Sequence, residues 1–176
     1  MKVDNFFERY QNLKKRHYYE HITIDTPCRL YFDLEFIKAC NEGFDEIHFL
    51  DKFIRKVTEL LKECFDETVC ERDFLVLDSS TDEKYSKHII VQTSKLFPNN
   101  VVIKRFIDMI CQNLKNEKIG MVKNKDNGTS FVVDDGVYNK NRNFRLYLSS
   151  KYGKTAILDV DKRFYKYFGT SIFQYF

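Results

Sequence analysis

Apolar side chains along the chain change their spacing several times, and each change marks an element. From Asp45 to Phe65 they fall at Ile47, Leu50, Phe53, Ile54, Val57, Leu60, Leu61 and Cys64, the three-and-four spacing of a helix buried along one stripe. A second stripe, Ile103, Phe106, Ile107, Ile110 and Leu114, follows FPNN at 97–100, a helix-start signal. Between the stripes, DFLVLDSS (73–80) and SKHIIVQT (86–93) flank the turn TDEKY and read as a hairpin. Upstream, Pro27 discourages helix just before it, and CRLYFDLEF reads as a strand, followed by a loop over 41–44. Downstream, KNKDNGTS (123–130) is a turn-rich loop, and FVVDDGVY (131–138) and NFRLYLSS (143–150) read as two strands around a polar turn.

The N-terminal NFFERYQNLKKRHYYEH reads as an amphipathic helix and then an extended piece. The whole predicts an α+β fold, a ferredoxin-like or RRM-like βαββαβ sheet with both helices on one face, after a short N-terminal extension. The expected division is 1–26 for that extension, 27–154 for the main module and 155–176 for an aromatic-rich tail. The tail, RFYKYFGTSIFQYF, is apolar enough to require a partner surface, on this domain or on a further region.

Composition narrows the picture. At 176 residues, with 43% hydrophobic and 31% charged residues, the chain can bury a core without metals or disulfides. The 17 Phe and 11 Tyr suit an aromatic core. A net charge of +3 does not announce a nucleic-acid binder, but basic residues gather at Lys14–Arg16 and from Lys140 to Lys154. Five cysteines without a CxxC pair, and no histidine at finger spacing, give no zinc site. The odd cysteine count and the absence of a signal peptide or membrane-length apolar run predict a soluble protein of a reducing, intracellular compartment.

Four stretches carry candidate chemistry. In LYFDLEF, Asp33 and Glu35 are two apart, so a strand projects both from one face. Side by side they repel unless a cation intervenes, and hard oxygen ligands suit Mg²⁺ or Mn²⁺. Alone, the pair fits a solvent-facing or structural role equally well. FVVDDGVY adds Asp134 and Asp135, of which alternation does not say which faces the first pair, and a turn at a strand end explains both without chemistry. In DSSTDEKYSKHIIV, Lys84, Ser86 and His88 offer an ammonium, a hydroxyl and an imidazole to phosphate oxygens, though a lone histidine is more often a satisfied core or surface residue. VYNKNRNFRLYLSSKYGK interleaves Arg142, Asn143 and Arg145 with Phe144 and Tyr147, which suits phosphates and bases as well as a charged hairpin surface.

Together, LYFDLEF, SSTDEKYSKH and VDDGVYNKNRNFRLY, in this order, resemble the three motifs of the archaeo-eukaryotic primase superfamily, and specifically its eukaryotic primase–polymerase branch. The resemblance spans roughly residues 27–154. It implies that Asp33, Glu35 and Asp134 are catalytic, metal-binding carboxylates of a two-metal Mg²⁺ or Mn²⁺ site. It implies that Lys84, Ser86, His88, Arg145 and Lys151 hold the incoming nucleotide, with Arg142 and Asn143 on its nucleotide and DNA side. It further implies metal-dependent nucleotidyl transfer from (d)NTPs on a single-stranded DNA template and primer, for primer synthesis, repriming or damage-tolerant extension. By the same resemblance the expected compartment is the nucleus or mitochondrion, with contacts to single-strand-binding proteins made through regions not present here.

The chain departs from the family in lacking its Cys/His zinc element, a longer N-terminus and a longer insertion before the third motif. It therefore reads as a reduced catalytic core, in which priming is more affected than extension. The competing readings are an RRM-like module that binds single strands without catalysis, and a metal-dependent nuclease, which would not require the Lys84, Ser86 and His88 cradle.

Overall fold

The computed structural model describes residues 3–168. Its elements are α1 (Val3–Gln11), β1 (Tyr19–Ile22), β2 (Leu30–Ile37), α2 (Glu46–Phe65), β3 (Phe74–Asp78), β4 (Lys84–Val91), α3 (Asn100–Asn116), β5 (Met121–Lys123), β6 (Thr129–Phe131), β7 (Arg142–Arg145), β8 (Asp159–Val160) and α4 (Tyr165–Phe168). The main sheet runs β2-β4-β3-β8, all antiparallel. Residues 132–134 extend it past β2: Glu35 N–H donates to Val132 O (2.8 Å), Asp134 N–H donates to Asp33 O (2.9 Å), and Leu34 bridges Val133. With that short segment as fourth strand, the spatial order is that of a ferredoxin-like βαββαβ sheet, with β8 added at the far edge.

Alternation along β2 divides the sheet into two faces. Leu30, Phe32, Leu34 and Phe36 point into the core, where Phe32 meets Phe53 of α2 edge-to-face at 4.9 Å and Phe36 stacks on Tyr85 at 4.8 Å. Asp45 caps α2 by accepting from His48 N–H, and Asn99 caps α3 by accepting from Val102 N–H. All five apolar residues predicted for α3 are buried. In α2 the stripe shifts slightly: Phe49 is buried against Phe44 and Tyr85, whereas Ile47 is 61% exposed and Cys64 is exposed. Ile47 lies in the first turn and lines an open cavity with Asp159 and Val160 of β8.

The C-terminal half differs from the expected pair of strands. The stretch 123–130 belongs to a small hairpin, β5 on β6 with its turn at 124–128, rather than a plain loop. FVVDDGVY ends β6, runs along β2 and then enters a tight 3-10 turn over Asp135–Val137 that the Asp134 side chain caps. Strand β7 pairs not with it but with β1, more than 100 residues away, with Tyr19 opposite Arg145 and Ile22 opposite Arg142. Beyond Arg145 the chain turns at Leu148 (φ +63°) instead of continuing as strand. Patterning sees apolar alternation but not which distant strand receives it.

Two polar clusters bind the flanks to this frame. Buried Tyr10 of α1 donates to Tyr147 O and hydrogen-bonds Ser149 Oγ at 2.8 Å. Lys87, buried on the helix-facing side of β4, donates to Asp78 (2.8 Å) and Asp161 (2.6 Å), which ties β4 to the segment after β8. The expected partner surface for the tail lies on this domain as far as Phe164 and Phe168, both buried; residues 169–176 fall outside the described residues. Among the described residues, no helix is long and apolar enough to cross a membrane.

The Phe32–Phe53 contact anchors α2 to the strand that bears the acids. Phe53→Ala should cost about 3–5 kcal/mol, read as a lower urea midpoint with an unchanged m-value.

Candidate active site

The register of β2 on β4 sets Asp33 opposite His88, Glu35 opposite Ser86 and Ile37 opposite Lys84. All five polar side chains therefore leave the sheet on the face away from α2 and α3. The 132–134 segment on the outer edge of β2 brings Asp134 beside the first two acids. Asp134 is held by accepting from Gly136 N–H at 2.9 Å; a Cβ on Gly136 would sit 3.1 Å from that same carboxylate oxygen, so glycine gives the turn its room. Asp135 instead points to Lys104 of α3, 3.4 Å away. The two aspartates that alternation left undecided are thereby distinguished.

The acids are in electrostatic conflict. Among the described residues, Asp33 Oδ1 is buried without a hydrogen-bond partner, and the His88 ring stands opposite it with Nε2 3.8 Å away. Burial, reinforced by Glu35 and Asp134 and only partly offset by Lys151 and Lys84, pushes the Asp33 carboxyl up to about 7. Glu35 accepts from Lys84 Nζ at 2.5 Å. Among the described residues, no three His, Cys, Asp or Glu side chains close around one metal position. The donor chemistry nevertheless suits a hard divalent ion: three carboxylates from adjoining strands, one with an orphaned buried oxygen and one neutralised by a lysine.

His88 stacks on Phe144 of β7, ring centres 4.2 Å apart and planes 25° off parallel. Burial, with Arg145, Lys151 and Arg142 nearby, brings its pKa down to about 3, so the imidazole is neutral, and among the described residues its Nδ1 lacks a partner. Phe144 in turn packs on Tyr31, so the β1–β7 ribbon supports His88 from outside the main sheet.

Beside the acids lies a cavity of about 490 Å³ lined by Lys84, Ser86, Arg145, Lys151 and Lys154, together with Ser79, Thr81 and Thr155, its four cations outnumbering Asp82 and Glu83 at the hairpin turn. Arg145 is buried and donates to Ser79 Oγ (2.6 Å) and Ala156 O (3.4 Å). Ser79 Oγ donates to Ser86 Oγ at 3.1 Å, and Ser80 Oγ accepts from Ser86 N–H at 3.0 Å. Four of the seven predicted nucleotide residues thus share one basic cavity, with His88 adjoining on β4. Arg142 and Asn143 do not line it; Asn143 pairs with His21 of β1 at 2.8 Å. Sequence reasoning missed Ser79, which joins Arg145 to Ser86. The signal was its place at the end of the β3–β4 hairpin, where register brings it against Ser86.

Comparison with known proteins identifies the family. A family profile described as "C962R protein N-terminal AEP domain" matches residues 1–164. The chain belongs to the archaeo-eukaryotic primase family. Among curated relatives of this primase-family chain, the zebrafish (Danio rerio) "DNA-directed primase/polymerase protein" is 37% identical over 182 residues, covering 84% of this chain and 35% of its own length. The chicken (Gallus gallus) protein of the same name is 32% identical over 210 residues, covering 82% of the chain and 37% of its own length. The human one is 31% identical over 216 residues, covering 85% and 39%. This primase-family chain thus spans between 35% and 39% of the length of these relatives. The 216-residue alignment exceeds the chain's 176 residues, so the human relative carries insertions that this chain lacks.

A raised Asp33 pKa means that the metal-free folded state binds a proton more tightly than the unfolded state. Stability therefore falls as pH rises from about 4 to about 7. Asp33→Asn removes this loss. Its melting temperature without metal should exceed that of the parent near pH 7.5, with the gap closing by pH 4, as followed by circular dichroism. Mn²⁺ should then raise the melting temperature of the parent more than that of the variant.

Proposed function

We propose that the chain is a metal-dependent nucleotidyltransferase of the DNA primase/polymerase type, with residues 27–154 carrying its catalytic module. The observation that carries this reading is the pairing of β2 with β4 on one side and with residues 132–134 on the other, which sets three acids and a basic cavity side by side on one open face. Mg²⁺ or Mn²⁺ held by Asp33, Glu35 and Asp134 as a two-ion site would neutralise charge on the attacking and leaving oxygens. Lys84, Ser86, Arg145 and Lys151 hold the triphosphate in line, with Ser79 fixing Arg145. Neutral His88 adjoins the basic cavity from β4 without adding charge. Arg142 and Asn143 serve the sugar and DNA side from β7.

In this chemistry a primer 3′-hydroxyl attacks the α-phosphorus of a (d)NTP. The new P–O bond forms as the bond to pyrophosphate breaks, and the hydroxyl proton leaves to solvent. The substrates are a single-stranded DNA template with its primer and (d)NTPs. We extend the reading to repriming and damage-tolerant extension, in the nucleus or mitochondrion, on the primase–polymerase resemblance alone.

Primer extension and de novo priming, run in parallel on a single-stranded template with Mg²⁺ or Mn²⁺, test the proposal. The parent should incorporate nucleotides, and Asp33→Ala with Glu35→Ala should lose at least about a hundredfold of that activity while still binding DNA. A parent protein that binds single strands normally yet incorporates nothing with either ion overturns it. That result would leave an RRM-like single-strand-binding domain, whose binding survives loss of the acids.

A further inference from the structure

Lys84 stands at a boundary between two cavities of opposite character. On one side is the basic cavity of about 490 Å³, which it lines with Ser86, Arg145, Lys151 and Lys154. On the other is a cavity of about 500 Å³ where Glu35, Asp108, Asp134 and Asp135 outnumber Lys115. Its ammonium is 2.5 Å from Glu35 Oε2, so its charge is committed to the acidic side. Arg145, by contrast, is anchored to Ser79 Oγ and Ala156 O within the basic side. The Lys84 and Glu35 side chains are 38% and 35% exposed, which leaves the ammonium room to swing.

We infer that Lys84 is a resident counter-ion that exchanges between Glu35 and the bound triphosphate, so that divalent cation and nucleotide each favour the other through this one side chain. This inference rests on the active-site reading above. A divalent ion arriving at Glu35 displaces the ammonium and frees its three N–H donors for phosphate oxygens. A triphosphate that draws Lys84 away uncovers the carboxylate for the ion. The coupling is reciprocal: whatever factor nucleotide adds to metal affinity, metal adds to nucleotide affinity. It operates in addition to direct contact between ion and phosphate, and the two are separable because Lys84 acts on each ligand alone.

The test uses the purified full chain and Mn²⁺ without nucleotide, with free Mn²⁺ read by electron paramagnetic resonance. Lys84→Met should bind Mn²⁺ about fivefold tighter than the parent, the scale of a half-exposed ion pair. Lys154→Met removes the same charge from the same cavity and should change affinity less than about twofold, as screened charge at longer range does. The second arm is nucleotide binding in EDTA, where Glu35→Gln should strengthen binding more than Asp134→Asn does. That excess should vanish when Lys84 is already methionine.

Equal Mn²⁺ affinities for the Lys84 and Lys154 variants overturn the exchange while leaving the metal site standing. No Mn²⁺ binding by parent or variants overturns the active-site reading itself. Circular dichroism confirms folding of each variant, and Lys84→Gln provides the same comparison should the methionine variant fail to fold.

Discussion

The pairing of β2 with β4 is the constraint on which the rest of the structure depends. Side chains alternate along a strand, so register decides which of them meet. Here it sets Asp33 on His88 and Glu35 on Ser86, and the same pairing sends Phe32, Leu34 and Phe36 into the core. A slip of one residue would drive both carboxylates among phenylalanines and bring the phenylalanines out to water. Core packing and the site are thus specified by one set of hydrogen bonds. The hydrophobic effect, which would resist the slip, also protects the chemistry.

That arrangement carries an electrostatic cost. Asp33 is largely buried with an unpartnered oxygen, two further acids stand beside it, and its carboxyl is held up near neutrality. The fold opposes the strain from several sides: α2 and α3 beneath the sheet, the 132–134 segment along its edge, and the β1–β7 ribbon against His88. Stored repulsion of this kind disposes a site to accept a cation, because binding relieves an interaction the protein already bears.

The central part of this design was legible in the sequence. Both long helices, the β3–β4 hairpin and the strand with its paired acids follow from period and turn chemistry, and the faces of Asp33, Glu35, Ser86 and His88 follow from alternation. Partnerships between remote segments were not legible. That Arg142–Arg145 pairs with Tyr19–Ile22, and that residues 132–134 lie on β2, are long-range choices made by packing, to which local patterning is blind. Alternation alone left Asp134 and Asp135 open for the same reason, since the pairing of residues 132–134 with β2 and the 3-10 turn that follows set their directions. Ser79 was missed because its importance lies in whom it touches, Arg145 and Ser86, and not in its type.

The ion triad of Lys87, Asp78 and Asp161 bears on how the protein is dissected. Lys87 sits between Ser86 and His88 in sequence, and its ammonium is divided between a hairpin acid and an acid beyond β8. A shortened version that kept every motif but stopped at residue 158 would strip a buried ammonium of half its counter-charge, on the helix-facing side of the strand that carries Ser86 and His88. Boundaries for expression, crystallisation or fusion are therefore better drawn from counter-charges than from motifs, and on this edge of the sheet they belong after Asp161.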